Sequence, residues 1–159
     1  MTANPQPQTN KAPARPRLTV HQHAAIQLTL AAAVVVVDSL AKALLKTTPS
    51  AYDIRPGWLL LPAIAGIFLT GLAFLSARSP LITIAAGLML GGITGNVLWR
   101  VFNKRGVPNP FLVGLRHGYL AFNVADICVM LGAVVLFVGV ANYVLADQAD
   151  DTGLETEKG

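Results

Sequence analysis

Cysteine and charged residues are scarce in this chain of 159 residues. The single cysteine, Cys128, excludes an intramolecular disulfide framework and is expected to be a small apolar residue within a helix. Charged residues make up only 13% of the chain, while hydrophobic residues make up 53%. This composition lies outside the range of ordinary soluble domains. The sequence offers no cofactor motif, no metal-ligand spacing and no basic groove for nucleic acid, so none of these ligands is expected.

Long apolar runs, by contrast, are abundant. A run of about 18 or more apolar residues indicates a bilayer span, because a helix of roughly 20 residues crosses the hydrocarbon core. Lipid leaves backbone polar groups unsatisfied, and the runs show no alternation of the kind seen in barrels. The sequence therefore predicts an all-α polytopic membrane protein, a four-transmembrane-helix bundle. Its spans are Ala24–Leu45, Gly57–Ser76, Leu81–Leu98 and Val124–Ala146.

Three segments are predicted along the chain. Residues 1–23 form a disordered, basic and proline-rich tail, residues 24–146 the membrane domain, and residues 147–159 an acidic tail. The first span is expected to be retained rather than cleaved as a signal peptide, because it has full span length and carries Asp38 and Lys42. Basic residues before it favour a cytoplasmic N-terminus, although the basic loops between spans do not. Both tails are predicted to be cytoplasmic.

Polar residues gather at one face of the predicted bundle. In an up-down-up-down path, odd spans end and even spans begin at the same face. The long outer loop between helices 3 and 4, from Trp99 to Phe122, contains prolines and glycines that cannot continue a helix, and it is expected to lie over this face. The polar residues that meet there are Asp38 and Lys42 from the first span, Asn96 and Arg100 from the third, and Asn123 and Asp126 from the fourth.

Acids inside a membrane are candidates for function, because a central aspartate costs about 2.5 to 3.5 kcal/mol on insertion scales. Structural explanations remain open for both. Asp38 and Lys42 are four residues apart, so they can neutralise each other as a structural pair on one helix face. Asp126 can be a helix cap, since a carboxylate there meets unpaired N–H groups.

Three motifs in this cluster resemble the signal peptidase II family, the lipoprotein signal peptidases of bacteria. Asp38-Ser-Leu-Ala-Lys42 is similar to the family's D-x-x-x-K box late in the first span. The segment GGITGNVLWR, residues 91–100, resembles the GGxxGNxxDR box that ends the third span. The segment FNVAD, residues 122–126, is identical to the FNxAD box that opens the fourth. The resemblance covers residues 24–146, essentially the whole membrane portion.

This resemblance implies a four-span aspartic protease of the bacterial inner membrane. Such a protein cleaves the signal peptide of a prolipoprotein just before its diacylglyceryl-modified cysteine, at the outer face, and its N-terminus is cytoplasmic. Asp126 would be one of its two catalytic aspartates. The predicted substrate-binding residues are Asn96, Arg100 and Asn123, together with Asp38 and Lys42 at the same face.

The chain departs from the family pattern where the other catalytic aspartate belongs. In the family that acid lies in a V-x-D-F stretch about twenty residues before the second. Here the region is GVPNPFLVGLRHG, whose nearest candidates, Val113, Gly114 and Leu115, are not acidic. Asp38 and Asp53 are the candidates for a relocated acid. Two further departures are Trp99 in place of the aspartate of GNxxDR and SAYDIRPGW in place of an N-x-G-x-A-F box. His117 could serve as a base, but an exposed loop histidine is expected to be incidental.

Aspartic proteolysis requires two carboxylates that share one proton, one as base toward water and one as donor to the scissile carbonyl. The sequence therefore predicts a protein that binds lipidated signal peptides with proteolysis lost or impaired, or that serves as a membrane partner of another complex. One alternative is an active lipoprotein signal peptidase that pairs Asp126 with a relocated acid. Another is a small transporter that uses Asp38, Lys42 and Asp126 as a relay, although no inverted repeat supports it.

Overall fold

The computed structural model describes residues 18–54, 60–76 and 79–156, without the side chains of residues 72–76 and 146–156. Within these ranges the chain is mostly helical. Four α-helices follow one another along the chain: α1 (Val20–Leu44), α2 (Leu60–Ser76), α3 (Pro80–Phe102) and α4 (Val124–Thr156).

Both ends of the helical region extend past the predicted span boundaries. At the N-terminal end, Thr19 accepts a hydrogen bond from Gln22 N–H and donates its own N–H to Gln22 Oε1 at 2.8 Å. This capping box starts α1 at Val20, so residues 20–23 belong to the helix rather than to the predicted tail. At the other end α4 continues through Thr156, where a tail was predicted from residue 147. Residues 1–17 and 157–159 of the predicted tails lie outside the described residues.

Among the described helices, three are long and apolar enough to cross a membrane: α1, α3 and the Val124–Leu145 part of α4. The apolar part of α2, Leu60–Gly71, is shorter. Large apolar side chains cover the outside of the helices, and Leu28, Phe68 and Phe137 are all more than 60% exposed. Water would penalise such a surface, whereas lipid tails accept it. The chain is a multi-pass integral membrane protein.

Glycines of α3 set the spacing between the helices. A Cβ atom added at Gly91 would lie 2.7 Å from the carbonyl oxygen of Ala31 in α1. A Cβ atom added at Gly92 would lie 2.5 Å from the carbonyl oxygen of Ala125 in α4. Small residues permit this close approach of backbones, as the sequence predicts for its glycine-rich segment. As a result α3 is the central helix, packed between α1 and α4.

The connection from α3 to α4, predicted as a long loop of an all-α protein, contains short strands, so the described chain is mostly helical. The short strand β1 (Tyr52–Asp53) pairs with β2 (Val107–Pro108). A second antiparallel pair, β3 (Phe111–Leu115) and β4 (Gly118–Phe122), forms a hairpin. Aromatic and β-branched residues favour strands here, and Gly118, with φ +152°, adopts a turn conformation that other residues rarely reach.

We expect Gly92→Ala to destabilise the bundle by about 1–3 kcal/mol, because the new methyl group would lie 2.5 Å from the Ala125 carbonyl oxygen in α4 and force the backbones apart. The matched control is Gly71→Ala in α2, where an added Cβ meets no atom within 4 Å. The free energy of unfolding of both variants is measured in mixed micelles with increasing amounts of denaturing detergent. Equal stability of the two variants would contradict the tight α3–α4 contact.

Candidate functional site

The Asp38 carboxylate is completely buried and joins two helices. Its Oδ1 accepts the backbone N–H of Ala125 at 2.9 Å, and its Oδ2 accepts a hydrogen bond from Lys42 Nζ at 2.6 Å. The first contact satisfies an N–H group of the first turn of α4 that has no partner within its own helix. Gly95 makes room for the carboxylate, since a Cβ there would lie 2.9 Å from Oδ2. The Asp38–Lys42 contact is the one that their spacing predicts.

Lys42 links Asp38 to Asn96 of α3, and Asn96 in turn links to Asp126. Its ammonium group also donates to Asn96 Oδ1 at 2.7 Å, and Asn96 Nδ2 donates to Asp126 Oδ1 at 2.8 Å. An ammonium group can only donate, so it fixes which end of the Asn96 amide faces Asp126. The result is a continuous polar relay, Asp38–Lys42–Asn96–Asp126, that crosses α1, α3 and α4.

Asp126 also caps its own helix. Its Oδ2 accepts the backbone N–H of Asn123 at 3.2 Å, while Asn123 Oδ1 accepts the backbone N–H of Asp126 at 3.0 Å. This is the reciprocal pattern of a capping box. The capping explanation of Asp126 therefore holds, but it is incomplete, because the other carboxylate oxygen binds Asn96 and the side chain lines a cavity.

The cavity has a volume of about 830 Å³ and lies between α2, α3, α4 and the strands. Its walls are mostly apolar, with a few polar groups that converge at one side, which is the usual composition of a ligand site. The polar members are Asp53, Asn96, Arg100, Asn109, Asn123 and Asp126, and apolar members include Leu60, Ile93, Val97, Leu120, Ile127 and Met130.

Asp53 and Arg100 form an ion pair at the cavity. Arg100 Nη2 donates to Asp53 Oδ2 at 2.9 Å, and each side chain is about one-fifth exposed. Together with the β1–β2 pairing, the ion pair holds the connection between α1 and α2 against the end of α3. Of the two candidates for a relocated acid, Asp53 therefore shares the cavity with Asp126, whereas Asp38 lies behind it with both oxygens engaged.

Asn109 is a cavity residue that the sequence analysis missed. Its Oδ1 accepts a hydrogen bond from Asn123 Nδ2 at 2.6 Å, and its backbone N–H donates to Ala51 O beside the β1–β2 pair. Val113 to Leu115, the nearest candidates for the position of the second acid, lie on the exposed hairpin and are not among the residues that line the cavity. The missed signal was the order Val107-Pro108-Asn109, which matches V-x-D with an amide in place of the acid.

Trp99 and His117 lie away from the cavity. Trp99 borders a separate groove together with Ser39 and Phe102. It is not among the residues that line the cavity. His117 is exposed at the tip of the hairpin. Among the described residues, no three histidine, cysteine, aspartate or glutamate side chains lie close enough together to hold a metal ion.

The fold and the cavity define a helical integral membrane protein with an aspartate at the start of one helix, facing a mixed apolar and amide-lined pocket. The family model of signal peptidase II matches residues 50–142. The chain belongs to the signal peptidase II family.

Curated relatives agree with this assignment. The chain is 33% identical over 88 residues to the lipoprotein signal peptidase of Symbiobacterium thermophilum. The aligned region covers 53% of this chain and 58% of that protein. It is 38% identical over 79 residues to the lipoprotein signal peptidase of Cupriavidus taiwanensis. This aligned region covers 49% of this chain and 44% of the relative. The matches thus span about half the length of these curated relatives.

In fold, the chain is similar to a bacterial membrane enzyme solved by the in meso method at 2.3 Å resolution, with a TM-score of 0.59. The two chains share 16% sequence identity, and the match covers 79% of this chain and 91% of the other.

We expect Lys42→Met to destabilise the protein by about 3–5 kcal/mol, because it leaves the buried Asp38 carboxylate without its charge partner. The matched control is Lys46→Met, which removes an exposed lysine four residues further along the chain. Unfolding in micelles measures the difference, and the double variant Asp38→Asn/Lys42→Met should recover part of the loss. A Lys42→Met variant as stable as the control would contradict the ion pair.

Proposed function

We propose that this protein binds the lipidated signal peptides of prolipoproteins in the bacterial inner membrane and has lost most or all proteolytic activity. The observation that supports this proposal is the makeup of the polar side of the cavity. Asp126 is accompanied there by three amides, Asn96, Asn109 and Asn123. Amides recognise a peptide backbone by hydrogen bonding, but they do not exchange protons as carboxylates do.

The cavity suits a peptide that carries a lipid. Its apolar walls can accept an apolar signal sequence and acyl chains, while the amides offer donors and acceptors to peptide groups that lipid leaves unsatisfied. Asn96 and Asn123 are held in place by Lys42 and by the start of α4, so they are oriented before a ligand arrives. Such preorganisation reduces the entropy lost on binding.

The enclosure of Asp38 behind the cavity supports the loss of proteolysis. Asp38 is fully buried, and its two oxygens accept hydrogen bonds from Lys42 and from Ala125 N–H. Using it as an acid or base would break the relay that orients Asn96. Asp38 and Lys42 therefore act on the site by positioning rather than by touching the substrate.

Asp53 supports the runner-up, an active aspartic endopeptidase with a relocated acid. It lines the same cavity as Asp126, which is the specific observation in its favour. Against this role, one of its oxygens accepts the Arg100 guanidinium at 2.9 Å, and that ion pair would have to open before the carboxylate could reach a substrate.

Close packing argues against a transporter. A relay through the membrane would have to continue from Asp38 toward Gln27, near the other end of α1. Between them Ala31 and Val34 pack against Gly91, and even one added methyl group there would lie 2.7 Å from Ala31 O and Val34 Cβ. Water has no room at this contact.

The proposal includes four spans with both termini in the cytoplasm. The 17-residue helix α2 measures about 26 Å at 1.5 Å per residue, slightly less than the hydrocarbon core, and residues 57–59 before it are apolar as well. A fourth span would also bring the starts of α2 and α4 to the face where α1 and α3 end, which is consistent with the cavity that these ends share. A further membrane protein can serve as partner at the lipid-facing helices.

We expect the purified protein to cleave a diacylglyceryl-modified prolipoprotein at least 10²-fold more slowly than an active lipoprotein signal peptidase, because a member of the general acid–base pair is missing. It should still bind the substrate's signal peptide. Asp126→Asn and Asp53→Asn serve as matched variants. Efficient cleavage by the wild type that either variant abolishes would establish the active-enzyme alternative, and absence of binding would refute the binding role.

For the topology, we expect single cysteines at Thr9 and Thr156, introduced into a Cys128→Ala background, to resist an impermeant thiol reagent applied to intact cells. Both should react after the membrane is opened. A cysteine at Leu115, on the exposed hairpin, is the control and should react from outside. Labelling of either terminus in intact cells would contradict the four-span arrangement.

A further inference from the structure

We propose that Asn109 stands in for the protonated carboxylic acid of a two-acid site, and that the single change Asn109→Asp creates a proteolytic pair with Asp126. This inference rests on the proposed binding function. It concerns a residue that was not among the predicted site residues, and it follows from how the Asn109 amide is held.

A backbone group fixes the orientation of that amide. The N–H of Asp126 can only donate, so the side-chain atom of Asn123 that accepts it must be Oδ1. The Nδ2 of Asn123 is therefore the donor to Asn109, and the Asn109 atom that receives it at 2.6 Å must be the oxygen. Asn109 is thus left with its NH₂ group as the donor it can offer to a ligand, in a cavity that Asp126 also lines.

A neutral carboxylic acid would fit the same contacts. Its carbonyl oxygen would accept from Asn123 Nδ2, and its O–H would replace the NH₂ group. The amide therefore reproduces the shape of a protonated acid and offers a donor, in the cavity that the carboxylate of Asp126 also lines. It can donate a hydrogen bond to the carbonyl oxygen of a bound peptide, but it cannot transfer the proton. Substrate binding is retained and hydrolysis is not.

Pro110, the residue after Asn109, prevents spontaneous conversion of this asparagine to an acid. Spontaneous deamidation of asparagine proceeds through attack by the backbone nitrogen of the next residue on the side-chain carbonyl. That residue is Pro110, which has no N–H to lose. The ordinary route from Asn109 to an acid is therefore closed, and a carboxylate at this position requires mutation.

With an acid at position 109, the reaction balances. Asp126 takes a proton from water as the water oxygen bonds to the scissile carbonyl carbon, and the new acid gives its proton to the carbonyl oxygen. The carbon–nitrogen bond then breaks as Asp126 returns its proton to the leaving nitrogen, and a hydroxyl proton of the intermediate returns to the acid at 109. Peptide and water become a carboxylic acid and an amine, and both carboxyl groups regain their starting states.

The test measures cleavage of a diacylglyceryl-modified prolipoprotein by purified protein in bicelles. We expect Asn109→Asp to cleave at least 10²-fold faster than wild type, with a bell-shaped pH profile that reports the two coupled acids. The double variant Asn109→Asp/Asp126→Asn should be inactive. Leu115→Asp, which adds an acid on the exposed hairpin, is the matched control and should not gain activity.

Each outcome decides the inference. A folded Asn109→Asp variant that binds the substrate without cleaving it overturns the inference and leaves the binding function intact. Cleavage by wild type, or no binding by wild type, refutes the proposed function instead. If Asn109→Asp does not fold, substrate binding by Asn109→Ala is measured instead. Loss of the amide donor should weaken binding of the same substrate about 10-fold. Undiminished binding by Asn109→Ala would overturn the inference.

Discussion

The Asp38 carboxylate is the contact on which the rest of the site depends. It is buried without exposure to solvent, and it joins the end of α1 to the start of α4 through one backbone N–H and one lysine. A charge in this environment is tolerated only when it is paired and fully hydrogen-bonded. Those requirements fix Lys42, and Lys42 in turn fixes the Asn96 amide that faces Asp126.

Close backbone packing makes this arrangement possible. The glycines of α3 allow α1 and α4 to approach it to near-contact distance, and Gly95 leaves the space that the Asp38 carboxylate fills. Because lipid provides no hydrophobic force between helices, such packing and the polar contacts within it hold a membrane bundle together. The glycine motif and the polar relay are therefore two parts of one structural solution.

The cavity combines residues of the helices with residues of the connections between them. Asn96, Asn123 and Asp126 belong to helices and are held by several hydrogen bonds, whereas Asp53 and Asn109 come from the connections outside the bundle. The Arg100–Asp53 ion pair and the β1–β2 pairing hold these connections at the cavity. A ligand that enters meets a fixed carboxylate and amides, and an outer wall made of short strands.

The sequence by itself determined the membrane class, the polar face and the family motifs, because span length, helical spacing and motif order are local properties. It also predicted the Asp38–Lys42 contact, which depends only on a separation of four residues. The strands between α3 and α4 and the role of position 109 were decided by tertiary structure. Asn109 reaches Asn123 because β1, from a connection distant in sequence, pairs with β2 and sets where the chain enters the cavity. Likewise, only the packed fold decided that Asp38 is enclosed behind the cavity while Asp53 lines it, since both acids are equally plausible from chain order alone.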